Sequence, residues 1–317
     1  MESILEVKNL KVKFTTHDGE ATAIDNISFT VKRGEVYGLA GESGCGKSVT
    51  VLSLAKLYNP FIKMKIEGKV IFNGLDLLSL NEHDLNKIRG KEIAYVFQNP
   101  FMSLNPVFRI GWQIEEVIKY HRPNDKNIAK DITIDMLNKV GIKDVDSKYK
   151  AYPHELSGWQ KQRAMIAMAL IANPKLLILD EPTTALDVKV KKQIVDLLID
   201  LKEKFNMTMI FITHDLHLMK KIAKKAAIMY TGRIVEEGSI EEIFNDPKHP
   251  YTKGLLNSLP DINRDVEYLP TIKGMVAPLT ELQEGCHFKE RCDYRFSECD
   301  KIPIVKKENE HLYACWR

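Results

Sequence analysis

The stretch Gly41-Glu42-Ser43-Gly44-Cys45-Gly46-Lys47-Ser48 constrains this chain more than any other. It reads G-x-x-x-x-G-K-S. An apolar run precedes it (Val36 to Ala40), and an apolar-rich, helix-like run follows (Val49 to Leu57). Strand, glycine turn and helix, in that order, form the context in which such a turn binds phosphate. Glycine lets the backbone curl so that successive N–H groups point inward at an anion. The helix adds the positive end of its dipole. Gly41, Ser43, Gly44, Cys45, Gly46 and Val49 are therefore expected to build the cradle. Lys47 should reach the β- and γ-phosphates, and Ser48 should ligate Mg²⁺. The competing reading, a chance glycine turn, loses ground because strand and helix are both in place.

At 317 residues the chain has room for one large or two modest domains. A 44% apolar and 28% charged composition is that of an ordinary globular protein, and a net charge of +3 is too small to point to nucleic acid. Lysine pairs such as Lys220-Lys221 and Lys224-Lys225 read as solvated helix faces. The longest apolar run, Ala164 to Ala172, is about half of the ~20 residues a membrane span needs. The first residues, Met1 to Glu6, lack a basic region followed by an apolar core, so no signal peptide is expected. A cytosolic location is expected, with any membrane role arising through a partner.

Along the chain, residues 4–14 alternate loosely, and Ile27 to Val31 repeats the pattern. His17-Asp18-Gly19 between them is a turn signal, so an N-terminal β-meander is expected. Phe14 ends the first strand-like run; it is either a core aromatic or a ring stacked on a nucleotide base. Ile66 to Gly74 reads as a hairpin arm, and Ile93 to Phe97 as a buried strand with Gln98 directly after it. From Ile110 to about Ala172 the periodicity is helical. Leu176-Leu177-Ile178-Leu179 is the apolar run of a buried parallel strand. Asp180 and Glu181 follow at its C-terminal end, where α/β sheets hold their ligands. Asp180 is expected to hold Mg²⁺ through water and Glu181 to polarise an attacking water, against the alternative of an acidic helix cap. Met207 to Ile212 is another buried strand; His214 follows it and is expected to contact a γ-phosphate. Ala226 to Tyr230, the turn Thr231-Gly232 and Arg233 to Val235 close the β core.

Gln98, Leu156-Ser157-Gly158, Asp180-Glu181, Asp187 and His214 thus follow the phosphate loop in a fixed order. This pattern resembles the ATP-binding subunits of ABC transporters over residues 4 to about 240. The resemblance implies an α/β, RecA-like core with an antiparallel β subdomain and a helical subdomain at about 99–172, and a head-to-tail dimer with two ATP molecules between subunits. It implies adenine stacking for Phe14, a Mg²⁺- and water-linking role for Gln98, and γ-phosphate capping on the partner subunit by Ser157 and Gly158. Asp187 would act across the dimer interface, and His214 would be the switch histidine. Phe97 to Pro106, Tyr152 to Gly158, Asp180 to Val188 and His249-Pro250-Tyr251-Thr252 are similar to the oligopeptide/dipeptide importer branch. That branch implies a second ATPase subunit, two transmembrane permeases, an extracytoplasmic binding protein and a place at the cytoplasmic membrane face. Nickel importers are the competing substrate reading, and a non-transport ABC ATPase the competing class. One departure stands out. The family signature Leu-Ser-Gly-Gly-Gln reads here Leu156-Ser157-Gly158-Trp159-Gln160. Either Trp159 points away from the nucleotide, or the composite site built on this signature hydrolyses slowly within a heterodimer, the reading preferred from sequence.

Residues 241–317 form a separate extension, in which Cys286, Cys292, Cys299 and Cys315 give C-x5-C-x6-C-x15-C. The segment is rich in charge and poor in core formers, so a four-thiolate centre is expected to supply its cross-links. Four-cysteine sites are most often zinc, but the wide gaps suit a 4Fe-4S cluster better. The resemblance to peptide-importer ATPases points the same way. Zinc stands as the alternative and disulfides as a distant third.

Overall fold

The computed structural model describes residues 2–16, 19–58, 61–184, 186–260 and 270–317. His17 and Asp18, the heart of the expected turn, lie outside the described residues. The chain divides into two compact units, each assembled from separated stretches. A loop unit comprises Ser3–Val31, Val36–Leu78 and Thr213–Arg317; a helical unit comprises Met1–Glu2, Lys32–Glu35 and Ser79–Ile212.

The loop unit begins with β1 (Ser3–Thr16), β2 (Gly19–Lys32), β3 (Val36–Ala40), α1 (Lys47–Leu54), β4 (Met64–Phe72) and β5 (Leu75–Asp76). An antiparallel sheet runs β2-β1-β4-β5. Strand β1 meets β4 from Leu5↔Phe72 to Phe14↔Met64, with a register shift between Lys8 and Lys11. That shift explains the loose alternation. Leu5 and Val7 are buried before it, Leu10 and Val12 after it. One extra residue changes the parity of the pattern, so the bulge keeps both pairs on the same face. Asn9 takes a left-handed φ of 50° there, and a side chain on Gly68 opposite would lie 2.5 Å from the Asn9 carbonyl oxygen.

The helical unit contains α2 (Glu82–Ile88), β6 (Ile93–Val96), α3 (Pro100–Ser103), α4 (Ile110–His121), α5 (Ala129–Lys139), α6 (Val145–Lys150), α7 (Gly158–Leu170), β7 (Leu176–Asp180), α8 (Val188–Phe205) and β8 (Thr208–Ile212). β6, β7 and β8 are parallel, in register from Ile93↔Leu176 and from Leu176↔Thr208. β7 and β8 are buried along their whole length, as continuous apolar runs in a parallel sheet require. Ile110, Ile114 and Ile118 on α4 and Met136 and Leu137 on α5 form the apolar stripes of the helical segment.

The loop unit resumes with α9 (Leu216–Ile222), β9 (Lys225–Tyr230), β10 (Arg233–Ser239), α10 (Ile240–Asn245), α11 (Pro250–Asn257), β11 (Val305–Glu308) and β12 (His311–Ala314). β3 pairs with β9 in parallel, while β9, β10, β12 and β11 continue antiparallel. The Thr231-Gly232 turn is left-handed at both residues.

The C-terminal extension corrects the sequence expectation of a metal centre. It folds by adding β12 to the edge of β10, at Glu236↔Tyr313 and Glu237↔Leu312. His311 Nε2 lies 2.7 Å from the buried carboxylate of Glu236, and Lys289 pairs with Asp300 at 2.8 Å. Phe288 is buried against the rings of Tyr230 and Tyr251. Cys286, Cys292, Cys299 and Cys315 line one common small cavity beside Phe288. Among the described residues, no three His, Cys, Asp or Glu side chains are placed to hold a metal ion. Burial pushes the Cys286 thiol up to about 11 and raises that of Cys292. Neither the 4Fe-4S cluster nor its zinc alternative is retained. Strand addition and ion pairs supply the cross-links instead.

One carboxylate ties this region together. Glu236 accepts the Lys248 and His249 amides at 2.7 and 2.9 Å. His249 Nδ1 in turn accepts the Tyr251 amide at 3.0 Å, capping α11. Burial holds the His249 imidazole down to about 3, so it stays neutral in the fold. The unfolded chain takes up that proton below about 6.5. The resulting stability is complete above that pH and is lost as pH falls toward 3, with a slope of up to about 1.4 kcal/mol per pH unit. His249→Asn keeps a capping oxygen and removes the titration. Denaturant unfolding from pH 7 to 4 should show a flatter loss of stability in the variant than in the native chain.

Candidate active site

The glycine loop has the backbone its sequence requires. Gly41, Gly44 and Gly46 all have positive φ, at 147°, 81° and 106°. A side chain on Gly41 would meet the Met229 carbonyl oxygen at 2.2 Å and Cys45 Sγ at 2.7 Å; one on Gly46 would meet Ile24 Cδ1 at 2.7 Å. Around Gly44 there is open space. Cys45 is fully buried, and burial raises its thiol pKa. Its carbonyl accepts the Gly232 amide at 2.9 Å. Gly46 is the N-cap of α1, with no side-chain cap and no acid in the first turn. The helix thus offers its positive end to an outside anion. Lys47 is buried, and its ammonium donates to the carbonyls of Gly41 at 2.9 Å and Glu42 at 3.0 Å. Ser48 and Val49 lie half-buried in the first turn, and Ser43 is exposed.

Elsewhere in the loop unit, Phe14 is half-buried opposite Met64, so it is not a fully enclosed core ring. His214 is exposed, between Thr213, whose amide donates to the Leu39 carbonyl at 3.3 Å, and Asp215, the N-cap of α9.

In the helical unit, Asp180 ends β7 and is buried. Glu181 follows in a left-handed conformation, φ 46°, with its amide donating to the Ile212 carbonyl at 3.1 Å. A glutamate in that region is strained, and the turn re-aims its carboxylate. Thr184 Oγ1 donates to Glu181 Oε2 at 3.0 Å, and Gln98 Nε2 donates to the same oxygen at 3.4 Å. Gln98 and Glu181, 83 residues apart, are therefore brought together. Thr184 is the residue sequence reasoning passed over. Its only local signal is a hydroxyl three positions after the glutamate.

Ser157 is the N-cap of α7 and accepts the Gln160 amide; Gln160 returns a bond to the Ser157 amide, completing a capping box. A side chain on Gly158 would come no closer than 3.9 Å to Leu186 Cδ2. The Arg163 guanidinium lies over the Trp159 ring, 5.5 Å from its centre. Asp187 caps α8, accepting the Val190 amide at 2.9 Å.

The chain is similar to known proteins over its whole length. The ABC transporter family profile matches residues 24–184, and the profile of the oligopeptide/dipeptide transporter C-terminal region matches 235–299. The chain belongs to the ABC transporter family. Its relatives include the oligopeptide transport ATP-binding protein OppD of Escherichia coli, 43% identical over all of this chain and 94% of the relative. A probable peptide ABC transporter ATP-binding protein of Sinorhizobium fredii is 43% identical over 99% and 95% of the two chains. A putative peptide import ATP-binding protein of Brucella melitensis is 46% identical over 98% and 94%. Among solved structures, the ATP-binding cassette MJ0796, in a dimeric post-hydrolysis state bound to ADP and phosphate, aligns at a TM-score of 0.66 and 26% identity. It covers 74% of this chain and 98% of that one. CbiO1 of Clostridium perfringens, part of an ABC transporter complex, aligns at 0.65 and 27%, covering 78% and 92%. The α/β fold is thus the RecA-like fold of ABC ATPases. Among the described residues no helix is long and apolar enough to cross a membrane.

The loop geometry separates its glycines. Gly44→Ala meets no neighbour and should cost about 1–2 kcal/mol from backbone handedness alone. Gly41→Ala adds the collision with Met229 and should cost at least about 3 kcal/mol. Parallel denaturant titrations of the two variants measure the difference.

Proposed function

We propose that the chain is the ATP-hydrolysing subunit of a membrane importer and that its cargo is peptide. The observation that carries the hydrolytic half is the Glu181 carboxylate, one oxygen of which accepts from both Thr184 and Gln98. A carboxylate fixed by neutral donors remains an acceptor able to orient and polarise water. The peptide half is supported by the names of the full-length relatives and by the oligopeptide/dipeptide C-terminal profile.

In this reading the loop residues Gly41 to Val49 take the phosphates on main-chain N–H groups, and Lys47 leaves its carbonyl partners for the β- and γ-phosphates. Phe14 stacks on the adenine. Glu181 orients water for in-line attack, while Lys47 and His214 stabilise the charge that develops on the γ-phosphate. The Ser48 hydroxyl, the Gln98 amide oxygen and the Asp180 carboxylate are hard oxygen donors suited to Mg²⁺, which when bound neutralises phosphate charge. Ser157 and Gly158 at the N-terminus of α7 serve the nucleotide of a partner ATPase subunit, and Asp187 faces that partner. Gln98 and the Asn99–Pro106 loop pass closure of the dimer to two permease subunits, which receive peptide from an extracytoplasmic binding protein. The chain then works peripherally at the cytoplasmic face of the membrane. Residues 1–240 are its nucleotide-binding domain, with a helical subdomain at about 99–172, and 241–317 its extension.

Glu181→Gln should keep ATP binding and lower phosphate release by the assembled transporter at least about 100-fold. Thr184→Val should lower it about threefold to tenfold, as loss of one hydrogen bond to a charged group predicts. Full turnover by the Glu181→Gln variant would remove the glutamate from this role. The Trp159 ring is covered on its own helix by the Arg163 guanidinium, a placement within one subunit that supports a signature that remains competent. Trp159→Gly should therefore leave turnover of the assembled transporter within about twofold, since no transition-state contact is lost; a larger rise would mark this composite site as the slow one.

A further inference from the structure

Glu42 occupies a variable position of the glycine motif, yet all three of its polar groups are committed. Its carbonyl accepts the Lys47 ammonium at 3.0 Å. Its amide donates to the Tyr251 hydroxyl at 2.8 Å. Its carboxylate receives both terminal nitrogens of Arg291, at 2.6 and 3.0 Å. Tyr251 is fully buried on α11. The Arg291 side chain is 6% exposed, lies over the rings of Tyr230 and Phe288, and donates from Nε to the Lys273 carbonyl at 2.9 Å. Both partners thus come from the region after residue 240, far from the loop in sequence, and both are immobilised before they reach it.

We propose that Arg291 and Tyr251 are positioning residues of the ATP site, and that the C-terminal extension holds the phosphate loop in its binding shape by gripping Glu42. The inference rests on reading Gly41–Ser48 as the ATP loop. Three physical arguments support it. First, a loop with glycines at three of its six leading positions is conformationally free, and anchoring Glu42 between two of them lowers the entropy that binding must remove. Second, an unpaired carboxylate beside a triphosphate would repel it, and the bidentate guanidinium cancels that charge. Third, the Glu42 carbonyl is a resting partner of Lys47, so moving Glu42 moves the ammonium. The planar fork also explains why arginine rather than lysine stands at 291.

The test is ATP binding to the full chain by titration calorimetry, with EDTA present to prevent turnover. Arg291→Ala should weaken ATP binding about tenfold, as an uncompensated carboxylate and a loosened loop predict. In the Glu42→Ala background the same substitution should have no further effect, because its partner is already gone. ATP affinity unchanged by Arg291→Ala, or weakened equally with and without Glu42, would overturn the proposal, the second result marking a merely structural residue of the extension. Should Arg291→Ala fail to fold, Tyr251→Phe carries the test: it deletes only the hydroxyl that accepts the Glu42 amide. It should weaken binding several-fold, and native affinity would overturn the proposal. A native chain that binds no ATP would instead refute the reading of the loop itself.

Discussion

The loop unit depends on a buried ammonium. Lys47 is almost fully enclosed, and a polar group in that position costs free energy unless it is hydrogen-bonded. The Gly41 and Glu42 carbonyls supply bonds to it, and they can do so only because the backbone turns back on itself at three left-handed glycines. The same curvature leaves the first turn of α1 without a side-chain cap. One geometric constraint therefore produces both features: a hydrogen-bonded lysine side chain and a helix N-terminus without a side-chain cap. The neighbours are built around it. Met229 and Cys45 leave no room for a side chain at Gly41, and Ile24 and Ala23 leave none at Gly46.

The extension shows the same economy by a different route. Its local sequence has too few apolar residues to form a core of its own. The structure solves the problem non-locally. β10 offers an open edge, β12 pairs to it, and the buried carboxylate of Glu236 gathers His311 and the Lys248 and His249 amides around one point. A buried carboxylate is unfavourable unless its lone pairs are used, and here three donors use them. Once that knot is tied, Tyr230, Tyr251 and Phe288 close around it, and the cysteines become packed thiols at its border.

What was legible in the sequence follows from how local each signal is. Leu176 to Leu179 is apolar without interruption, because both faces of a parallel strand are covered, so the strand and the acids after it could be read directly. The glycine loop was legible because only glycine fits its backbone angles. Strand β11 was not: Val305-Lys306-Lys307-Glu308 is a charged edge whose pairing is set by β12, and β12 by β10. The bulge in β1 was blurred for a related reason, since a change of parity at Asn9 looks like weak alternation until the partner strand is known. Thr184 escaped notice because a threonine after a proline-containing turn is common, and only the left-handed turn at Glu181 brings its hydroxyl to the carboxylate. Arg291 had no local signal at all, because its partner lies 249 residues away.

The helical unit adds a last distinction, between residues that are already occupied and those that are poised. Ser157 accepts the Gln160 amide, and Asp187 accepts the Val190 amide. Both oxygens are engaged in starting their own helices, so any contact they make with a second subunit must come from remaining lone pairs or from neighbouring main-chain N–H groups. Glu181 differs. Thr184 and Gln98 both reach one of its oxygens, Oε2. Two donors converging on one oxygen set the direction of the carboxylate. That arrangement makes Glu181 suited to polarise a water, and it links the residue to Gln98, whose segment leads into the helices of the unit. One hydrogen bond therefore couples the turn after β7 to the segment after β6.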